Sequence, residues 1–130
     1  MSDTEKLLSN LIEVIRKLRA PDGCDWDKKQ TSKSLIPYML EETYEVIEAI
    51  ETKDYKLLNE ELGDLLLHVV FQSELISEKS VFDLDSALKC VIEKLINRHP
   101  NIFQNSNNSD YKEQNWELRK QKEKKRKYLL

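Results

Sequence analysis

Glycine is almost missing from this chain: two residues in 130, beside three prolines and two cysteines. So little turn chemistry, with few runs of β-branched or aromatic residues, weighs against strands and for helices. Cys24 and Cys90 form neither a CxxC pair nor a disulfide framework, which fits a reducing compartment. Neither sign of charge dominates, and a net −3 is too small to imply a nucleic-acid partner. No long hydrophobic run exists either. The longest, Leu65 to Phe71, is interrupted by His68 and far too short to cross a bilayer, so no membrane role is expected. The opening MSDTEKLL lacks a basic patch followed by an apolar core, so no secretory leader and a cytoplasmic location are expected.

What is present is charge (35%) mixed with hydrophobic residues (39%), in a length that suits one domain over residues 1–130. Ser2 and Glu5 form a capping-box pattern ahead of a first helix, whose apolar positions Leu7, Leu8, Leu11, Ile12, Ile15 and Leu18 recur at helical spacing. Pro21-Asp22-Gly23 ends it and opens a loop that holds Trp26 and runs to about Ser32. A second helix begins at Ser34, with Pro37 in its first turn, where a missing N–H costs nothing, and fades near Thr52. Asp54 caps a third helix from Tyr55 to about Ser77. Its centre, Leu65 to Phe71, is apolar on most sides, as in the central helix of a bundle. Leu57, Leu58, Leu62, Leu75 and Ile76 continue the helical pattern on both sides, which rules out a strand there. Asp83 or Asp85 caps a fourth helix that stops at His99-Pro100. A polar loop from Asn101 to Ser109 and a last helix, capped by Asp110 and Glu113 and ending in the basic run Arg119 to Lys127, complete the reading. The expected fold class is an all-α bundle of about five helices.

Carboxylates carry the chemistry. Glu41, Glu42 and Glu45 lie on the second helix, Glu61 and Asp64 on the third. Residues three apart on an α-helix project about 60° from one another, so Glu42 pairs with Glu45 and Glu61 with Asp64. The 15 residues between Glu45 and Glu61 suffice to end one helix, turn, and start an antiparallel one. Four carboxylates aimed at one volume must hold protons or take up a cation. An all-oxygen set suits Mg²⁺, with Mn²⁺ as a substitute, and such ions bridge to phosphate oxygens and supply a water nucleophile. The plainer alternative is a solvated acidic surface in a protein with 24 acidic residues. A di-iron bundle is set aside, because neither His68 nor His99 lies three residues after a glutamate. Gly63, inside a helix where glycine costs roughly 1 kcal/mol, suggests a close approach of backbone or substrate.

From Leu18 to Phe103 the sequence resembles the MazG family of nucleotide pyrophosphohydrolases. The matching stretches are Leu18-Arg19-Ala20-Pro21-Asp22-Gly23-Cys24, Trp26-Asp27, Gln30-Thr31, Tyr38 to Val46, Glu61 to Leu67, and Lys94-Leu95-Ile96-Asn97-Arg98-His99-Pro100. Trp116-Glu117 and Lys120 extend the likeness into the last helix. The resemblance implies a four-helix active-site bundle completed by dimerisation, with magnesium held by Glu42, Glu45, Glu61 and Asp64. It implies that Lys94, Arg98 and Lys120 contact the triphosphate and that Trp116 lies near the nucleobase. The implied reaction converts nucleoside triphosphates to monophosphates and pyrophosphate. Departures fall at Asp25, where the family usually has proline, at Ser32 and Asn101, where it often has histidine, and at His68, where glutamine is expected.

Other residues keep two readings. Glu41 is a further ligand or the base that deprotonates water, with Glu45 second for that role. Lys94 and Arg98, four apart on one helix face, neutralise phosphate or complement the helix dipole. Trp116 stacks on a base or packs in a core, and Trp26 folds over the nucleotide or anchors its loop, with anchoring favoured. His68 reads as a satisfied core histidine ahead of a support for the metal ligands. The basic tail reads as a solvated helix end. Two alternatives to the broad activity remain: a narrower pyrophosphatase for dUTP, dCTP or a modified nucleotide, and a non-catalytic helical oligomerisation module.

Overall fold

The computed structural model describes residues 2–103 and 120–124. Every regular element among them is helical: α1 Thr4–Arg19, α2 Asp25–Lys29, α3 Ile36–Glu51, α4 Tyr55–Ser77, α5 Leu84–Arg98 and α6 Pro100–Phe103, with residues 120–124 also helical. The all-α expectation therefore holds. None of these helices is long and apolar enough to cross a membrane. The chain divides into two compact units, residues 1–84 and 85–130.

In the first unit α1 and α3 both pack against α4, and α2 packs against α1. Ile15, Leu35, Val70, Phe71, Leu75 and Leu84 form the core, with Leu8, Leu11, Ile12 and Leu67 packed around it. Burying such side chains is worth about 1.5–3 kcal/mol each, which is what holds α1 onto the C-terminal half of α4. Two ion pairs border that contact: Arg16 Nε to Glu74 at 2.8 Å and Arg19 Nε to Glu78 at 2.9 Å.

Local chemistry sets the helix ends. Ala20 is extended (φ −66°, ψ 159°), as a residue before proline prefers, and α1 stops there. The chain then folds back so tightly that Cys24 N donates to Leu18 O at 2.8 Å. A Cβ on Gly23 would meet Leu18 O at 2.2 Å, so only glycine fits that return. Thr31 and Ser34 bond each other reciprocally, backbone N–H to hydroxyl, at 2.8 and 3.0 Å. Gln72 Nε2 donates to Ser32 O at 3.0 Å and ties this loop to α4. Pro37 sits in the first turn of α3 as expected. The α3–α4 turn passes through Lys53 at φ 56°, after which the Asp54 side chain accepts from Leu57 N at 3.1 Å and caps α4.

Four expectations need correction. Ser2 is not a helix cap: α1 starts at Thr4, its N-cap is Asp3 without a side-chain bond, and the Ser2 hydroxyl turns to Thr4 Oγ1 at 3.1 Å. The loop around Trp26 contains α2, whose five residues are too few to show periodicity. α3 begins at Ile36, two residues later than expected, because Ser34 is spent on the Thr31 turn. The polar loop expected from Asn101 begins instead as α6: Pro100 stops α5 and, with its fixed φ, starts another helical turn. Its remainder and the capping residues Asp110 and Glu113 lie outside the described residues.

Candidate metal and phosphate site

α3 and α4 form a hairpin that brings acidic side chains together. α4 is the one described helix against which α3 packs, and α3 buries Val46 and Ala49. Those two residues are three apart. Their burial turns the adjoining Glu42–Glu45 stripe toward α4, where Glu61 is 9% exposed. Glu42, Glu45 and Glu61 each offer an oxygen, and the three oxygens lie within 4.8 Å of one another. Opposite oxygens around a Mg²⁺ ion with bonds of about 2.1 Å stand about 4.2 Å apart, so the trio is already near chelating distance.

The electrostatics are those of an uncompensated cluster. Glu42 Oε2 and Glu61 Oε2 are buried with no hydrogen-bond donor among the described residues. Glu61 is pushed up to about 7, first by a hydrogen bond with Glu45, then by burial, a hydrogen bond with Glu42, and the charges of both. With both groups ionised the contact of Glu61 with Glu45 is repulsive, and a shared proton turns it into a hydrogen bond. Glu42 is raised by burial first, with Glu45 and Asp64 adding repulsion and a hydrogen bond from Glu61 pulling the other way. A carboxylate trio that must share protons when alone is a donor set that a hard divalent cation fits.

The other expected residues fall in different places. Asp64 is exposed one turn beyond Glu61 and outside the close trio, though its charge acts on Glu42. Glu41 is exposed and also outside the trio. His68 is not the satisfied core histidine expected: it is half-buried, its Nδ1 has no hydrogen-bond partner among the described residues, and burial lowers its pKa against the opposing charge of Asp64. Gly63 is not explained by a close approach among the described residues, since a Cβ there would meet nothing of theirs within 4 Å. Trp26 stands half-exposed, its ring edge-on to Tyr38 at 5.6 Å and 87°, which fits an anchor for its segment.

Lys94, Arg98 and Lys120 belong to the second unit and are half-buried. Arg98 is engaged by Glu123, with Nε donating to Oε2 at 3.1 Å. The sequence reading missed Glu123; its signal was its position three residues after Lys120. Trp116 lies outside the described residues. Apolar side chains also remain uncovered along the hairpin: Leu40, Tyr44 and Ile47 on α3, and Leu62, Leu66 and Val69 on α4, each set at i, i+4, i+7.

A helical hairpin whose Glu42, Glu45 and Glu61 oxygens lie within 4.8 Å of one another places the chain among all-α proteins with an acidic cluster between adjacent helices. Comparison with known proteins narrows that class. The MazG nucleotide pyrophosphohydrolase domain matches residues 30–103, and the chain belongs to that family. It is 44% identical over 124 residues to the nucleoside triphosphate pyrophosphohydrolase/pyrophosphatase MazG of Thermotoga maritima, covering 95% of this chain and 48% of that protein. It is 43% identical over 126 residues to the uncharacterized protein YabN of Bacillus subtilis, covering 92% of this chain and 26% of that one. The nucleoside triphosphate pyrophosphohydrolase of Escherichia coli is 43% identical over 100 residues, 76% of this chain and 38% of the relative. The chain thus spans about half or less of the length of these relatives.

Proposed function

We propose that the chain hydrolyses nucleoside triphosphates to nucleoside monophosphates and pyrophosphate with magnesium, or manganese as a substitute. The observation that carries this reading is the oxygen trio of Glu42, Glu45 and Glu61, two of whose buried oxygens have no donor among the described residues. These three, joined by Asp64, would hold the cation. A bound divalent ion offsets phosphate charge and lowers the pKa of a coordinated water. Glu41, exposed and next to Glu42 in the chain, takes the proton of the attacking water; Glu45 is the second candidate. The water oxygen adds to the α-phosphorus, the bond from that phosphorus to the bridging oxygen breaks, and pyrophosphate leaves in line. Lys94, Arg98 and Lys120 neutralise the departing charge, and Trp116 stacks near the base.

Product analysis tests this: incubation with the common ribo- and deoxyribonucleoside triphosphates, with and without magnesium, should release monophosphate and pyrophosphate only with the metal. The same panel separates a broad enzyme from one confined to dUTP, dCTP or a modified nucleotide. Glu42→Gln and Asp64→Asn should each abolish turnover while circular dichroism stays unchanged. Activity within severalfold of wild type at saturating magnesium would overturn those assignments.

The uncovered apolar stripes of α3 and α4 favour a second element of the proposal, a homodimer or higher oligomer in which another copy covers them and completes a four-helix site. They equally suit a non-catalytic oligomerisation module in a cytoplasmic protein. That module predicts no magnesium binding and no effect of neutralising the four carboxylates.

A further inference from the structure

Arg98 is the last residue of α5, and its guanidinium is not left to solvent: the side chain is 12% exposed. Nε donates to Glu123 Oε2 at 3.1 Å, and Nη2 donates to the same oxygen. Nε and one Nη form the forked edge with which arginine grips a phosphate, and a carboxylate competes for that edge with similar geometry. Glu123 is also the single acid in the run Arg119 to Lys127, which otherwise holds seven basic residues and Gln121. Its charge, set among lysines, is directed at an arginine 25 positions away. Lys120 lies three residues before it on the same helical turn, so the turn that presents Lys120 also presents Glu123.

We infer that Glu123 is a built-in competitor for substrate phosphate at Arg98. Its carboxylate occupies the guanidinium edge until a phosphate of the substrate takes its place, so the strength of this pair sets the affinity for the pyrophosphate end of the nucleotide. The inference rests on the reading of Arg98 as a phosphate contact and adds a residue that opposes it. When a site is competent only after an internal partner lets go, its apparent affinity falls by the fraction of molecules that have let go. Weakening the partner raises that fraction without touching the chemistry.

The test uses Glu123→Gln, which keeps the shape and removes the charge, and Glu123→Ala, which removes the partner. The full chain is assayed with a nucleoside triphosphate, and inorganic pyrophosphate binding is followed by calorimetry and as competitive inhibition. A charge-assisted bond is about twice as strong as a neutral one, so KM and the pyrophosphate Ki should both fall roughly three- to tenfold in Glu123→Gln, with kcat little changed. Arg98→Ala should raise both constants, and adding Glu123→Gln to it should change nothing more, the signature of a direct pair. Unchanged or raised KM and Ki in both Glu123 variants, while Arg98→Ala still weakens binding, would overturn the competitor and leave Arg98 as a phosphate contact. Unchanged KM and Ki in Arg98→Ala would instead remove the phosphate role of Arg98, and the competitor with it.

Discussion

Replacing Glu61 by glutamine should uncouple magnesium binding from pH. The Glu61 carboxyl is pushed up to about 7 by its hydrogen bond with Glu45, its burial and its contact with Glu42, and the proton is shared across the cluster. A group of that pKa is about one-tenth ionised at pH 6, half at pH 7 and about nine-tenths at pH 8. Magnesium takes the carboxylate and not the acid, so apparent affinity should climb roughly tenfold from pH 6 to pH 8, with a proton released per ion bound at the lower end. The sign for stability follows from linkage. The folded pKa lies above the ordinary value of 4.5, so the folded state grips this proton more tightly than the unfolded chain does. That contribution is complete below about pH 4.5 and is lost as pH rises through about 7. The metal-free protein should therefore melt lower at pH 8 than at pH 5.5 through this group, and magnesium should recover more at pH 8 than at pH 6. Calorimetric titration in two buffers of different ionisation enthalpy counts the protons, and thermal melts read the stability. In Glu61→Gln the magnesium affinity should be weak and flat with pH, and the metal-free melt at pH 8 should rise above wild type. A wild-type affinity constant from pH 6 to pH 8, or a variant that keeps the slope, would refute the reasoning.

Three further substitutions probe the frame around the site. Gly63→Ala adds a methyl into open space and removes a helix-interior glycine, so thermal stability of the monomer should rise by up to about 1 kcal/mol; a fall in activity alongside would show that another copy or the substrate uses the gap, and a lower melt would contradict the open space. Ile15→Ala, at a wholly buried position, should cost about 2–5 kcal/mol in urea denaturation, and a loss below about 1 kcal/mol would remove Ile15 from the core. Arg16→Ala leaves the Glu74 carboxylate, 8% exposed, without its partner; because Arg16 itself is 62% exposed, the expected loss is only about 1 kcal/mol, and no loss would mean water serves Glu74 equally well.

How much of this could be read from the sequence follows from the range of each interaction. The bounds of α4 and its Asp54 cap were legible because a cap and its helix lie within one turn of chain. The pairing of Glu42 with Glu45 was legible for the same reason, since a spacing of three fixes a shared face. That Glu61 joins them needed only one more step, a hairpin between neighbouring helices. Short helices escaped: α2 and α6 span five and four residues, less than the window over which apolar periodicity can be seen. Ser2 misled because the capping pattern was complete in sequence, yet the first turn formed one residue beyond it.

Charge partners distant in sequence, such as Arg98 and Glu123, were not legible at all. The metal half of the proposal rests on three oxygens brought within 4.8 Å by the packing of adjacent helices, a geometry that the buried apolar stripe of α3 enforces whatever the charges prefer. Packing thus imposes repulsion on Glu42 and Glu61, and a fold that tolerates buried, unpartnered oxygens gains most from a ligand that relieves them. The phosphate half runs the other way. Arg98 already has a carboxylate, so a phosphate must offer more than Glu123 does to win it. One side of the chemistry is left wanting a cation and the other is kept satisfied by an anion. On this argument the two halves fail separately: Glu42→Gln should remove metal binding while pyrophosphate still competes at Arg98, and Arg98→Ala should weaken pyrophosphate while the pH-linked magnesium binding of the trio persists.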